Sequence, residues 1–292
     1  MPGFQKTYEL EDPPEGPGSW KEHRRRITES WTDLLNRTPA PSEEEVQRFL
    51  EENPSLVPGA LGVGASTGKY PDLLGVIKQA PLPSYNKRVP DFLWLSGDSE
   101  TIQPVLVEIE SPEKRWFTSS DVQSHKLTQA LDQIAEWKRW FNVSHNVDAF
   151  REFYGLNQWP SRKRFTPAYV LVFGRREEAN ANSRRIAKRA SLAPEDVVVM
   201  TFDRLAPLAD AEELCCLEAE GTQSFRVLSV VPTFAWSPTQ ARERFRSHGW
   251  DEAIKTSPHI SAVRKKFLLK RRPYWEKWSH SNGGLITAGD TE

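Results

Sequence analysis

The chain has 292 residues, of which 39 are basic and 40 are acidic, and its formal net charge is −1. This balance excludes a protein that holds nucleic acid by its overall charge, so any contact with phosphates must be local. The two cysteines, Cys215 and Cys216, are adjacent, which excludes a disulfide framework and a CxxC metal site and favours a reducing compartment.

No targeting or membrane segment is visible in the sequence. The first residues lack a basic region followed by an apolar run, and no stretch approaches the ~18 apolar residues of a membrane helix. We therefore expect a cytoplasmic protein that does not contact a membrane.

Residues 1–41 are predicted to form an N-terminal arm, because residues 1–19 are rich in proline, glycine and acids. The first predicted helix starts after Ser42, a typical N-cap residue, and carries three glutamates in its first turn. It ends at Asn53-Pro54, because proline cannot continue a helix.

Three strands are predicted next, at Leu73–Leu82, Val89–Leu95 and Val105–Glu110. The turn-forming run at residues 96–99 makes the last two an antiparallel hairpin. Side chains alternate along a strand, so Glu108 and Glu110 share one face. Burying ionised carboxylates there is costly unless they are paired or bind a metal, which makes this strand a candidate site.

A helix is predicted over Ser119–Phe141, where apolar residues recur with helical spacing. Strands at Tyr169–Phe173 and Val197–Phe202 follow, separated by a helix at Glu177–Ala190. This strand–helix–strand order implies a crossover and a parallel pair, so the sheet is predicted to be mixed. The core domain is predicted to close near Leu208.

Residues 211–292 are predicted to form a basic α+β region with a strand at Phe225–Val231 and helices at Thr239–Arg246 and Pro258–Trp278. Basic residues interleaved with aromatics suit a phosphate backbone and base stacking. The alternative is a solvated helix whose aromatics pack inward. The residues predicted to bind nucleic acid are Arg264, Lys265, Lys266, Lys270, Arg271 and Arg272.

In order, the motifs are a helix with Glu43, a strand opening Pro90-Asp91, a strand with Glu108-Ile-Glu110, and a helix with Gln133. This order resembles the PD-(D/E)XK nuclease superfamily and, more narrowly, the Shedu antiphage nuclease family. The resemblance spans roughly residues 42–202. It implies an α/β fold with a restriction-endonuclease-like αβββαβ core over residues 42–210, flanked by the arm and the basic region.

The resemblance also implies a function, that of an endonuclease that hydrolyses DNA phosphodiester bonds in antiphage defence and assembles as a homotetramer. Asp91 and Glu108 would ligate Mg²⁺ or Mn²⁺, with Glu43 as a possible outer ligand and Gln133 as a helper on the helix. Hard oxygen ligands of this type suit Mg²⁺. The alternative interpretation is that these acids lie on the surface at strand ends.

One residue departs from the family pattern, because Glu110 stands where a lysine is expected. Three explanations are open. Lys114 or Lys126 supplies the missing cation, since a lysine stem spans several ångströms; Glu110 helps to hold a second metal; or the site is inactive and the chain is a nucleic-acid-binding or sensor module.

Overall fold

The computed structural model describes residues 15–63, 68–84, 89–159, 162–192, 196–211, 213–237 and 243–280. Its helices are α1 (Trp20–Asn36), α2 (Glu43–Glu52), α3 (His125–Phe141), α4 (Ser144–Phe153), α5 (Arg176–Ala179), α6 (Ser183–Leu192), α7 (Trp250–Thr256) and α8 (Ala262–His280). Its strands are β1 (Tyr70–Pro71), β2 (Gly75–Lys78), β3 (Phe92–Gly97), β4 (Thr101–Ile109), β5 (Arg164–Phe165), β6 (Ala168–Val172), β7 (Val197–Met200), β8 (Cys215–Gly221) and β9 (Ser224–Ser229).

The described strands form one mixed sheet in the order β7-β6-β4-β3-β2-β8-β9, with β1 beside β3 and β5 beside β4. The β2–β3 and β3–β4 pairs are antiparallel, whereas β4–β6 and β6–β7 are parallel. Along the chain, α2, β2, β3, β4, α3 and β6 give the αβββαβ order. The predicted fold class, hairpin and parallel pair are therefore confirmed.

Helix α2 begins as the sequence predicts, because a capping box fixes its start. The Ser42 hydroxyl accepts a hydrogen bond from the Glu45 N–H at 3.2 Å, and the Glu45 carboxylate accepts one from the Ser42 N–H at 2.9 Å. Both otherwise unpaired donors are satisfied locally. The helix thus presents Glu43 in its first turn.

Both faces of the sheet are covered, so successive residues of β4 belong to different layers. Leu106 packs in the same apolar cluster as α3, while Val107 and Ile109 pack with α1 and α2 on the other face. Strands buried on both faces read as continuous apolar runs, as β3 does. Glu108 has the same parity as Leu106 and therefore lies on the α3 face.

The structure corrects two predicted elements. Helix α1 lies inside the segment predicted as an arm and buries Ile27, Trp31 and Leu35. Helix α3 begins at His125 rather than Ser119, because the preceding residues form a loop closed by a bridge between Phe117 and Gln123.

The C-terminal region continues the same sheet. Strand β8, which the sequence analysis did not predict, pairs in parallel with β2, and β9 pairs with β8. The division at residue 210 stays a prediction. Of the helix predicted at residues 239–246, residues 239–242 lie outside the described part. A membrane-crossing helix is absent from the residues that the structure describes.

Candidate active site

Asp91 and Glu108 meet where β3 starts and β4 ends. Phe92 pairs with Val107 in the antiparallel register, so Asp91 lies opposite Glu108. The Asp91 Oδ2 atom accepts a hydrogen bond from the Ile109 N–H at 2.8 Å, next to Glu108 in the chain, and the Glu108 side chain is one of the groups that act on the Asp91 carboxyl. The two predicted metal ligands are therefore brought together.

The surroundings of Asp91 disfavour its negative charge. Burial is the main cause that raises the pKa of Asp91 to about 7, and the charge of Glu43 acts in the same direction. The Ile109 N–H, Lys114 and Glu108 lower the pKa, but they do not offset the cost of burial. A cation placed at this carboxylate would remove that cost.

Glu108 is 8% exposed, which excludes the alternative of a surface residue at a strand end. Gln133 is 7% exposed and lies on the buried face of α3, next to Ile134. Because α3 covers the face of the sheet that carries Glu108, both side chains belong to the same layer. Helix α3 therefore carries Gln133 on the side of the sheet where its predicted role requires it.

Lys114 joins the remaining predicted acids. Its Nζ lies 3.2 Å from Glu43 Oε2 and also forms an ion pair with Glu110 Oε2. Its charge acts on Asp91 as well. Of the two candidate lysines, Lys114 lies in this cluster, whereas Lys126 is exposed on the first turn of α3. We call Asp91, Glu108, Glu43, Glu110 and Lys114 the acidic cluster.

The loop that carries Lys114 is held by residues that the sequence analysis did not assign to the site. Glu178 accepts a hydrogen bond from the Trp116 N–H at 2.7 Å, and the Trp116 indole donates to the Phe173 carbonyl at 2.8 Å. Arg185 bridges Glu178 and Asp121 at 2.9 and 2.6 Å. No local signal marks these partners, because every contact except the Arg185–Glu178 ion pair joins segments distant in sequence.

The backbone also restricts this loop. Gly174 has a φ of +54°, and a Cβ atom there would lie 2.4 Å from the Lys114 carbonyl oxygen. Only glycine has both the conformation and the space that this close approach requires. The Lys114 loop therefore rests directly on the end of β6.

The carboxylates of the acidic cluster are the hard oxygen donors that Mg²⁺ and Mn²⁺ take in proteins. Within the part of the chain that the structure describes, no group of three or more His, Cys, Asp or Glu side chains is arranged to hold a metal ion by itself. Mg²⁺ commonly takes one or two carboxylates and keeps several waters. Asp91 and Glu108 together supply two carboxylates, the number that a Mg²⁺ site of this kind needs.

The six basic residues predicted to bind nucleic acid do not form one surface. Arg264 and Arg271 are each 3% exposed, because α8 turns them toward the core. The aromatic residues Phe267, Trp275 and Trp278 are buried too, as the alternative interpretation of this helix requires. Lys266 and Lys270 are exposed, Lys265 is half-buried, and Arg272 pairs with Asp251 and Glu276.

Comparison with known families agrees with this architecture. A family model for the C-terminal region of the Shedu protein SduA matches residues 40–206, more than half of the chain. The matched range includes the whole acidic cluster and the elements from α2 to β7. No curated protein matches the chain. The chain therefore belongs to the Shedu family of antiphage defence proteins.

Proposed function

We propose that the chain is a metal-dependent endonuclease of the PD-(D/E)XK type that hydrolyses phosphodiester bonds in DNA. The observation that carries the proposal is the convergence of Asp91, Glu108 and Lys114 at one edge of the sheet. Two carboxylates and a lysine are the groups that phosphodiester hydrolysis needs for a cation site and for a charge near the phosphate.

Asp91 and Glu108 would hold Mg²⁺ or Mn²⁺ in this site. When bound, the metal would polarise the scissile phosphate and lower the pKa of an attacking water. The hydrogen bond from the Ile109 N–H would hold Asp91 in place for this role. Gln133, on the α3 face, would orient water or phosphate by hydrogen bonding.

Lys114 would supply the cation that the family pattern places at position 110, four residues earlier in the chain. Glu110, which replaces that lysine, instead binds the Lys114 ammonium group, and Glu43 contacts it from α2. These carboxylates would hold the Lys114 ammonium group beside the metal ligands. This contact supports an active site over an inactive one.

Incubation of the protein with supercoiled plasmid tests the proposal. We expect nicking that needs Mg²⁺ or Mn²⁺, stops with EDTA, and falls at least about a hundredfold in Asp91→Asn and Glu108→Gln, because each change removes a charged metal ligand. Glu113→Gln, at an exposed position in the same loop, is the matched control. Binding of the plasmid without nicking would support the alternative, an inactive nucleic-acid-binding or sensor module.

We also propose that the chain acts as a homotetramer, as the family resemblance suggests. Each chain has a mass of 33.4 kDa. Sedimentation equilibrium should therefore give four times this value. A mass equal to one chain at the concentrations used for nicking would contradict the tetramer and leave the active-site proposal intact.

A further inference from the structure

Arginines collect at the edge of the sheet that holds the acidic cluster. Strands β4, β6 and β7 are neighbours and run in parallel, so their carboxyl ends meet at one edge. Lys114 follows β4, Arg176 follows β6, and Arg204 follows β7. Crevices outside the carboxyl ends of parallel strands are common ligand sites in α/β sheets.

Two arginines at this edge, Arg175 and Arg185, which we call the inner arginines, have their charges balanced by ion pairs. Arg175 lies 2.9 Å from the Asp203 carboxylate, and Arg185 is shared between Asp121 and Glu178. The nearest acids are therefore already paired with residues that hold loops together. These pairs are structural, and they leave little negative charge for the arginines outside them.

The outer arginines are Arg176, Arg189 and Arg204. Arg176 and Arg204 are exposed and Arg189 is half-buried. Among the described residues, none of the three forms an ion pair with an acid; Arg176 donates to the Asp203 carbonyl at 3.2 Å and Arg189 to the Asn180 side chain at 3.0 Å. Because Asp203 precedes Arg204 and Asn180 lies four residues after Arg176, these two contacts bring the three cations onto one surface. Burial, and then the charges of Arg204 and Arg176, lower the pKa of Arg189, in agreement with this arrangement.

The outer arginines connect directly to the candidate active site. The Arg189 guanidinium lies 5.0 Å from the centre of the Trp116 ring, and Trp116 is two residues beyond Lys114. The Trp116 indole donates a hydrogen bond to the carbonyl of Phe173, which follows β6 and lies three residues before Arg176. Cations that form no ion pair with an acid favour an anion. The contact of Arg189 with the loop that carries Lys114 favours an anion continuous with the scissile phosphate.

We infer that Arg176, Arg189 and Arg204 form the surface that binds the phosphate backbone of DNA and aligns it with the acidic cluster. This inference rests on the proposed function. It places the main nucleic-acid contact on the edge of the nuclease-like domain and not on α8, where two of the predicted basic residues are buried.

Affinity for a short labelled duplex, measured in EDTA over a range of salt concentrations, tests the inference without cleavage. For Arg176→Ala combined with Arg204→Ala, we expect affinity to fall about tenfold or more and the slope of log affinity against log salt to become shallower by about 1.8, or ~0.9 for each lost phosphate contact. Replacing both with lysine keeps the charges and should restore most of the affinity and slope.

Two variants serve as comparisons. Arg139→Ala removes an exposed arginine beside Lys138, which pairs with Asp196 at the amino end of β7, the opposite end of the sheet; it should bind as the parent does. Lys266→Ala combined with Lys270→Ala tests α8 directly. Circular dichroism and thermal melting should be unchanged in all variants, since these side chains are exposed.

The outcomes separate this inference from the proposed function. If the Arg176 and Arg204 double alanine variant binds with the affinity and salt slope of the parent, or if only the α8 variant loses affinity, the inference is overturned, whether or not the parent nicks plasmid. If the arginine variant loses affinity but the parent never nicks with Mg²⁺ or Mn²⁺, the surface stands and the endonuclease proposal fails.

Discussion

At the scale of single residues, the candidate site depends on an unfavourable charge. Asp91 is withdrawn from solvent beside Glu108 and near Glu43, and its pKa is raised to about 7. A carboxyl group in such a place costs folding free energy when it ionises. Sites that bind cations commonly keep this kind of cost in the metal-free protein, because the cation then relieves it.

Asp91 should therefore make the metal-free protein less stable as pH rises. Its pKa is higher in the folded chain than in the unfolded chain, so its stabilising contribution is fully present below pH ~4 and is lost as pH rises through about 7. Urea unfolding in EDTA at several pH values measures this. Asp91→Asn should flatten the dependence, whereas Asp132→Asn, at an exposed site on α3, should not.

The identity of the catalytic lysine can be tested by comparing two variants. Lys114→Ala should lower plasmid nicking about a hundredfold, because it removes the cation that contacts Glu43 and Glu110 beside the metal ligands. Lys126→Ala should nick within about twofold of the parent, because the structure leaves Lys126 exposed on α3. If Lys126→Ala lowered nicking and Lys114→Ala did not, Lys126 would supply the missing cation and the assignment to Lys114 would be wrong.

At the scale of elements, the sequence predicts the helix starts and hairpins that depend on contacts between residues close in the chain. The Ser42 cap fixes the start of α2 through contacts a few residues apart, as predicted. The predicted hairpin is also confirmed, but its turn lies at residues 98–100, because Ser96 and Gly97 still pair with β4. Helix α3 starts at His125 because the Ser124 hydroxyl accepts a hydrogen bond from the Leu127 N–H at 3.1 Å, a local N-cap that the prediction of a start at Ser119 missed. Helix α1 had a signal, since Ile27, Trp31 and Leu35 recur every four residues.

Long-range contacts explain why sequence alone left Lys114 and Lys126 as equal candidates. Asp91 and Glu108 could be predicted as a pair because they lie on neighbouring strands in a recognisable order. The position of Lys114 depends on Glu178, Arg185 and the close approach of Gly174. None of these contacts is visible in a pattern of neighbouring residues.

Loss of Glu178 should loosen the Lys114 loop. Glu178→Ala leaves the Trp116 N–H without its acceptor and Arg185 without one partner, which should destabilise the fold by about 1–3 kcal/mol. Trypsin cleavage after Lys114 or Arg115, followed by mass spectrometry, should become faster than in the parent. Glu177→Ala, at the exposed neighbouring position, should not change the rate of trypsin cleavage. Equal cleavage rates for the two variants would contradict the role of Glu178 in holding the Lys114 loop.

At the scale of the whole molecule, one sheet joins the elements from α2 to β7 to the C-terminal region. Strand β8 covers the edge of β2 and buries Cys215 and Cys216. Its second half, Glu218 to Gly221, is mostly polar, so the sequence lacks the continuous apolar run by which a strand is predicted. The two cysteines, which suggested only a reducing compartment, are core residues of this strand.

A chain that stops at residue 210 should therefore fold poorly. Without β8, strand β2 becomes an open edge and the apolar side chains facing Leu217 lose their cover. We expect aggregation in size-exclusion chromatography and loss of the cooperative thermal transition of the full chain. A soluble fragment with an unchanged transition would instead support the predicted domain division at residue 210.

The central claim is that Asp91 and Glu108 hold one divalent cation. Anomalous diffraction from crystals of the protein soaked in Mn²⁺ tests it most directly. We expect a single strong peak per chain in contact with both carboxylates, lost in Asp91→Asn. A fully occupied peak elsewhere, or no peak beside these two residues at saturating Mn²⁺, would show that Asp91 and Glu108 do not hold the cation.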